Sequence, residues 1–341
     1  MKDFDTCSVF EACCVIFNDP SLRVITETPL TGGCIHQTSL ITLQGHPTTP
    51  LRKIVLKQAQ NRHLATDLIA EANSLLALRA VKRSLLKTNH AAALQYLKIP
   101  KPYGTSSHHN YLLLEYLAPK TTTTPTQIRS NETYFAAALA TLHQFKDWHQ
   151  ITTDKDPELP AALKTHLANL TAQSFGWYEN PYLKPHKKFA PPKSKWIDFF
   201  KEYRLIPLLN STYKDNLLPL TLRKKADLLL KHLHQYLPPP SHASIVHGDL
   251  WSGNVLTLPD DATALIDPAV HLSHHETDLA LSELFGKRPP IFYSTYQKYF
   301  PSAPGYASRV PLYNLYHLLN HLHLFGKSYL PSIAHILSTY P

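Results

Sequence analysis

The sequence predicts a two-lobed α+β fold: an antiparallel sheet with one helix over residues 1–118, then a mainly helical lobe over 119–341. Three observations predict it. Short β-like runs bounded by turn residues fill the first third of the chain and surround one stretch with helical apolar spacing. A second group of short apolar runs flanks the polar loop His247-Gly248-Asp249-Leu250-Trp251-Ser252-Gly253-Asn254. Helical stretches follow and precede that loop. One is Leu222–Leu237, which ends at Pro238-Pro239-Pro240 because Pro cannot continue a helix.

In chain order, Leu22–Thr28 and Thr38–Leu43 read as strands around the tip Thr31-Gly32-Gly33-Cys34-Ile35-His36. Gly32 and Gly33 let a backbone approach phosphate oxygens closely and aim N–H groups at them; Gly-Gly is also an ordinary hairpin turn. Lys53–Lys57 is a strand ending in Lys. Alone, Lys57 is an edge-strand charge. Fourteen residues on, Glu71 lies beside the apolar stripe Leu64, Leu68, Ala72, Leu75 and Leu78 of a helix over Leu64–Arg79 and can turn toward Lys57. Tyr111–Leu117 reads as a buried strand running into a turn at Ala118-Pro119. Glu115, Tyr116 and Leu117 at its end offer backbone N–H and C=O groups. Thr121–Thr124 opens the second lobe.

The polar loop carries the chemistry. Ser244-Ile245-Val246 enters it and Val255–Leu258 leaves it. Asp260-Asp261 makes a turn, and Ala264-Leu265-Ile266 leads into Asp267. Gly-Asp alone is turn chemistry. The full order of strand, loop, hairpin and second carboxylate is what phosphoryl transfer from ATP needs. One Asp accepts or orients the proton of the attacking hydroxyl; an Asn and a second Asp hold Mg²⁺ against the phosphates. The Asp249-to-Asn254 spacing is that of the protein-kinase catalytic loop, with Gly248 in place of its Arg, which points to a small-molecule acceptor. Gly32, Gly33 and Cys34 then form the phosphate loop. Lys57, paired to Glu71, grips the phosphates, and Glu115, Tyr116 and Leu117 pair with adenine.

These residues resemble the fructosamine kinase, or ketosamine-3-kinase, family. So do Leu139–His143, Phe175-Gly176, Trp196, Phe199–Leu205, Ile266–Ala269, Asp278-Leu279-Ala280, Leu284-Phe285-Gly286 and the tail Leu312–His321 with Leu324-Phe325-Gly326. The resemblance covers nearly the whole chain; Trp251 after Leu250 and the tail motif are its most specific parts. It implies the bilobal protein-kinase-like fold shared with aminoglycoside phosphotransferases and choline kinases. It implies that ATP phosphorylates the 3-hydroxyl of a ketosamine, free or protein-bound, and that the phosphorylated adduct eliminates and frees the amine. Asp249 would be the base, with Asn254 and Asp267 on Mg²⁺. Trp251 is either a surface for the sugar's C–H face or a core Trp. His274 and Glu276 either contact sugar hydroxyls or form a helix N-terminal turn, where the macrodipole favours Glu. Two other readings stand beside this one. The first is a kinase of the same fold acting on an aminoglycoside, choline or a sugar. The second is a non-catalytic ATP-binding regulator, against which Lys57, Glu71, Asp249, Asn254 and Asp267 speak together. The chain departs from the family over Glu179–Lys193, which is Pro- and Lys-rich, and at Lys287, where a second Gly is common.

Composition narrows the class. Apolar residues make 43% of the chain, enough for a globular core in each lobe. The 34 Lys and Arg against 25 Asp and Glu give a net charge of +9. No nucleic-acid motif accompanies it, and an electropositive cleft for anionic ATP accounts for it. No basic leader precedes an apolar run, and no stretch approaches a membrane span, so ATP dependence implies the cytoplasm. The 21 His lack a ligand pattern with Cys or carboxylates, so no zinc site is expected. Four Cys are few for a disulfide framework; Cys13-Cys14 on an apparent helix suits a small buried residue. Cys34 is either a small residue tolerated in a turn or an oxidant-sensitive thiol. The chain is accordingly read as a monomer, or a dimer linked through Cys34.

Overall fold

The computed structural model describes residues 1–30, 36–60, 62–88, 91–153, 158–177 and 195–340. The Gly32-Gly33-Cys34 tip and the Pro- and Lys-rich segment Glu179–Lys193 lie outside them. Two compact units form. The first holds Met1–Phe135, His149–Ala168 and Gly253–Ala269; the second holds Ala136–Trp148, Asn169–Ser252 and Val270–Pro341. Compactness therefore does not change at residue 118. The Pro125–His143 helix runs from one unit into the other, and the hairpin after the catalytic loop belongs to the first.

In the first unit six strands line up as Lys2–Asp3, Pro102–Ser106, Tyr111–Glu115, Arg52–Gln58, Gln37–Gln44 and Arg23–Pro29. All neighbours are antiparallel except the first two. Side chains alternate across a strand. Ile54 and Leu56, with Ile41, Leu43, Tyr111 and Leu113, therefore share one face and close a core with Phe4, Ala12 and Cys13. Lys57 goes to the opposite face. The first core takes a helix beyond the one expected, Val9–Phe17, started by a Ser8/Glu11 capping box. Its Cys13 is fully buried, and burial pushes the thiol up to about 12, so it is an inert core residue.

The helix carrying Glu71 spans Arg62–Leu86, longer than its stripe predicted, and packs on the strands Pro102–Ser106 and Tyr111–Glu115. Leu68, Ala72, Leu75 and Leu78 are all buried along it. A three-stranded sheet, Leu97–Lys98, Thr263–Leu265 and Val255–Thr257, completes the unit. Asp260 and Asp261 at its hairpin tip have φ of 57° and 56°, the pattern of a type I′ turn, whose twist matches the flanking strands.

The second unit is mainly helical. The Tyr306–Phe325 helix packs against Glu276–Leu284, Ile206–Lys214 and Leu330–Thr339. Ser244–Val246 pairs antiparallel with His271–Ser273, and the His247–Asn254 loop leaves the first of these strands. The Leu220–Tyr236 helix stops just before the triple Pro. Among the described residues no helix is long and apolar enough to cross a membrane.

Candidate active site

In the first unit, strand pairing sets Lys57 opposite Leu112 on one side and Thr38 on the other. Its Nζ lies 2.8 and 2.9 Å from the two Glu71 oxygens and 2.5 Å from Asp267 Oδ1. Lys57 and Glu71 are both buried, so each charge depends on its partner rather than on water. Burial draws the Lys57 ammonium down, but Asp267 and Glu71 more than reverse it and hold the ammonium above its ordinary value. Burial pushes the Glu71 carboxyl up to about 7, against the pull of Lys57.

Asp267 has φ of 54°, a left-handed conformation that costs a non-glycine residue about 1–3 kcal/mol and clusters at functional sites. Its side chain keeps 30% exposure, so it is open to a further cation. Asn254 sits in the Ser252–Asn254 turn, and its carbonyl accepts the Ile266 N–H at 3.1 Å, which ties it to the residue before Asp267. A carboxylate and a neighbouring amide oxygen are donors of the kind Mg²⁺ takes.

At the end of the Tyr111–Glu115 strand, the Glu115 N–H donates to the Lys101 carbonyl at 2.9 Å, and its carboxylate accepts the Lys101 N–H at 3.0 Å. That N–H is spent and is not free to pair with a ligand. Leu117 packs with Leu256 on the Leu258, Ala262 and Ala264 cluster, an apolar surface beside the Tyr116-Leu117 backbone.

In the second unit the H-G-D loop is held by its backbone. Asp278, in the first turn of Glu276–Leu284, is fully buried. Its Oδ2 accepts the His247 N–H at 2.7 Å and its Oδ1 the Gly248 N–H at 2.9 Å. His143 Nε2 stands 3.2 Å from the same carboxylate, and its Nδ1 is 2.6 Å from the Tyr296 hydroxyl. Burial alone would raise the Asp278 carboxyl; His143, His247 and the Gly248 amide turn the balance and hold it below its usual range. Gly248 has φ of 81°, so the position where protein kinases carry Arg needs a residue free of the left-handed penalty. The Asp249 N–H donates to His247 Nδ1 at 3.3 Å, and the Trp251 N–H to the Asp249 carbonyl at 3.1 Å. Sequence reasoning did not place Asp278 in the site. An acid inside the apolar run Leu279-Ala280-Leu281 was the available signal, since a buried carboxylate needs donors.

The residues expected on the acceptor side fall differently. Trp251 is half-buried, whereas Trp148, Trp177 and Trp196 are core residues. His274 is buried; its Nδ1 accepts the Glu276 N–H at 3.2 Å. Burial first, then Arg309, presses its ring down to about 3, so it is neutral. Glu276 is fully buried as the first residue of its helix, and both its oxygens are taken by Arg309, at 2.7 and 2.6 Å. His274, His275 and Glu276 bring ligand atoms within 4.8 Å of one another. With Arg309 on the carboxylate, this is an ion pair and not a cation site.

A pinned H-G-D loop, and a Lys–Glu pair that reaches a strained Asp, are the working parts of a protein-kinase-like phosphotransferase. A solved structure from Thermobifida fusca, assigned as a fructosamine-3-kinase, shares the fold: TM-score 0.69 at 24% identity, covering 98% of this chain and 99% of that one. The chain belongs to the fructosamine kinase family, whose sequence model matches residues 17–340. Among its relatives, a protein of Synechocystis named probable ketoamine kinase is 35% identical over 243 residues, 70% of each chain. A protein-ribulosamine 3-kinase of Oryza sativa subsp. indica, chloroplastic, is 30% identical over 179 residues, 51% of each.

Proposed function

We propose that this chain transfers the γ-phosphoryl group of ATP to the 3-hydroxyl of a ketosamine, so that the phosphorylated adduct releases its amine. The observation that carries the reading is Lys57 Nζ bonded at once to Glu71 and Asp267, in the unit that also holds Asn254. Family membership and the names of its relatives support ketosamines as the acceptor class.

Each residue then has a role. Asp249 accepts the proton of the attacking hydroxyl. Asp278 keeps its loop in place. Lys57, oriented by Glu71, neutralises phosphate oxygens. Asp267 and Asn254 would hold Mg²⁺, which when bound shields the charge between the phosphates. Gly32, Gly33 and Cys34 cover the phosphates through backbone N–H groups, and Tyr116 and Leu117 pair with adenine. Trp251, being half-buried, offers its ring to the sugar's C–H face. His274 and Glu276 act from behind that surface by fixing the start of the helix that carries Asp278. The protein works in the cytoplasm, where ATP is available.

ADP release by the purified protein with Mg-ATP tests this on four acceptors: ribulose–lysine, fructose–lysine, choline and an aminoglycoside. Turnover of a ketosamine that Asp249→Ala lowers by about 10²–10⁴-fold is expected. Turnover of choline or the aminoglycoside alone would overturn the acceptor assignment.

A further inference from the structure

Among the described residues Arg204 is a cation buried without a counter-charge. It lies in the π-helical turn Phe200–Leu205 and is 5% exposed, and neither its Nε nor its Nη1 meets an acceptor among the described residues. The contrast with its neighbours is direct. Buried Arg309 is held by both oxygens of Glu276, and buried Lys57 by both oxygens of Glu71. The Arg204 guanidinium rests over the Phe199 ring at 4.9 Å and the Tyr316 ring at 5.4 Å. Those faces offset part of the lost hydration of the charge. They do not satisfy N–H donors that lie in the guanidinium plane.

The guanidinium borders a narrow cleft beside the His247–Asn254 loop. Arg204 lines a narrow cleft with Gly248, Thr277, Tyr316 and His317. Gly248 is the residue before Asp249. The cleft's carboxylate, Asp278, is already committed to the His247 and Gly248 amides and to His143, so it does not answer Arg204. A π-helical turn inside a helix is itself a feature found mostly at functional sites. An unspent, planar, five-donor cation beside the catalytic loop is suited to one chemistry, bidentate recognition of an oxyanion.

We propose that Arg204 is the receptor for a small oxyanion, a carboxylate or a phosphate, on the acceptor side of the reaction. The proposal rests on the ketosamine reading for its source. In the adduct of a free amino acid through its α-amine, the carboxylate lies only a few bonds from the 3-hydroxyl. In an ε-lysine adduct it lies much farther away. The 3-phosphate of the product is the second source. Arg204 thus selects α-adducts of free amino acids, or retains the phosphorylated product.

Ribulose adducts of glycine and of glycinamide differ only in that charge. With the full-length protein and Mg-ATP, kcat/KM for the glycine adduct should exceed that for glycinamide by about 10- to 100-fold, the scale of one charge-assisted pair, mostly through KM. The ratio should fall to about one in Arg204→Gln and recover in part in Arg204→Lys. Independently of turnover, inorganic phosphate at matched ionic strength should raise the melting temperature of the wild-type protein but not of Arg204→Gln. A glycine preference assigns the carboxylate source; phosphate protection without it assigns the product source. Equal turnover of the two adducts together with no phosphate protection overturns the site, and both are read on wild-type protein even if the Gln variant misfolds. Failure to phosphorylate any ketosamine would instead fall on the proposed function, and the phosphate arm would still read Arg204.

Discussion

Mild acid should loosen the second unit more than the first, which among the described residues holds one such ring, His166, pressed by burial down to about 4. Two of the second unit's histidines, His274 and His275, are buried and a third, His317, is half-buried, and all three rings are held below their ordinary range. Burial presses His274 and His317 down to about 3, and His275 goes well below its ordinary value for the same reason. An unfolded His titrates near 6.5. Above that pH the folded and unfolded chains hold the same protons at these rings, and their folding is unopposed. As pH falls below 6.5 the unfolded chain takes up protons that the folded one refuses, so stability is lost from about 6.5 toward 3. At pH 5.5 each such ring costs roughly 1.4 kcal/mol relative to pH 7.5, and three cost about 4 kcal/mol. That is a large share of the ~5–15 kcal/mol that holds a domain together, and it corresponds to a fall in melting temperature of roughly 10 °C. Asp278 does not enter, since a carboxyl held below its usual range gives up its contribution only in stronger acid.

The assay can be made local. Trp148, Trp177, Trp196 and Trp251 are all the tryptophans of the chain, and all belong to the second unit. Thermal melts followed by tryptophan fluorescence between pH 7.5 and 5.5 at fixed ionic strength therefore report that unit. In His274→Asn, whose amide oxygen can replace Nδ1 as acceptor for the Glu276 N–H, part of the pH dependence should vanish. Glu71 carries the opposite sign: a carboxyl raised by burial favours the folded first unit as pH falls toward 4.5. A fluorescence midpoint that moves by less than about 3 °C across the window would refute the reasoning, because three depressed rings cannot leave so small a trace.

Other perturbations follow from the same bonds. Glu71→Ala leaves Lys57 buried beside Asp267 alone; it should cost about 3–5 kcal/mol in urea unfolding and lower kcat/KM for ATP about 100-fold through a misplaced ammonium. Asp278→Asn turns an NH₂ toward one of the two amides it now accepts. We expect a loss of about 1.5–3 kcal/mol and a lower kcat with the KM for ATP nearly unchanged, read by steady-state kinetics. Arg309→Met strands the fully buried Glu276 and should destabilise by about 3–5 kcal/mol, whereas Glu276→Met with Arg309→Met should recover most of it in the same urea titration.

The residues that could be read from the sequence are those whose partners are near in sequence or whose spacing is fixed by one element. Asp249, Asn254 and Asp267 lie on one strand–loop–hairpin unit, and Asp260-Asp261 marked its turn. Lys57 and Glu71 were readable because period 2 and period 3.6 each present one side chain to a known face. The left-handed φ of Asp267 and of Gly248 left no mark on residue spacing, although the Gly itself did. Asp278 and Arg204 escaped for a different reason. Asp278 gains its role from amides 30 and 31 residues away, so the apolar run beside it signals a buried acid but not what that acid holds, and Arg204 is notable for a partner it lacks among the described residues. Glu276 shows the converse: its place after Asp267 suggested a sugar contact or a helix start, and Arg309, 33 residues downstream, takes both oxygens of its carboxylate.

The division of the chain into units gives the catalytic motif a meaning beyond its residue types. Asp249 belongs to the second unit and Asn254 to the first, with the crossing between Ser252 and Gly253. Groups suited to phosphates and a cation, Lys57, Glu71, Asn254 and Asp267, are therefore gathered in one body. The base, its anchor Asp278 and the unspent Arg204 are gathered in the other. Each body fixes its own end of the loop with its own bonds: Asp278 on His247 and Gly248, and Ile266 on the Asn254 carbonyl. Asp278, touching neither substrate in the proposed scheme, is expected to act on kcat through the His247 and Gly248 amides it holds.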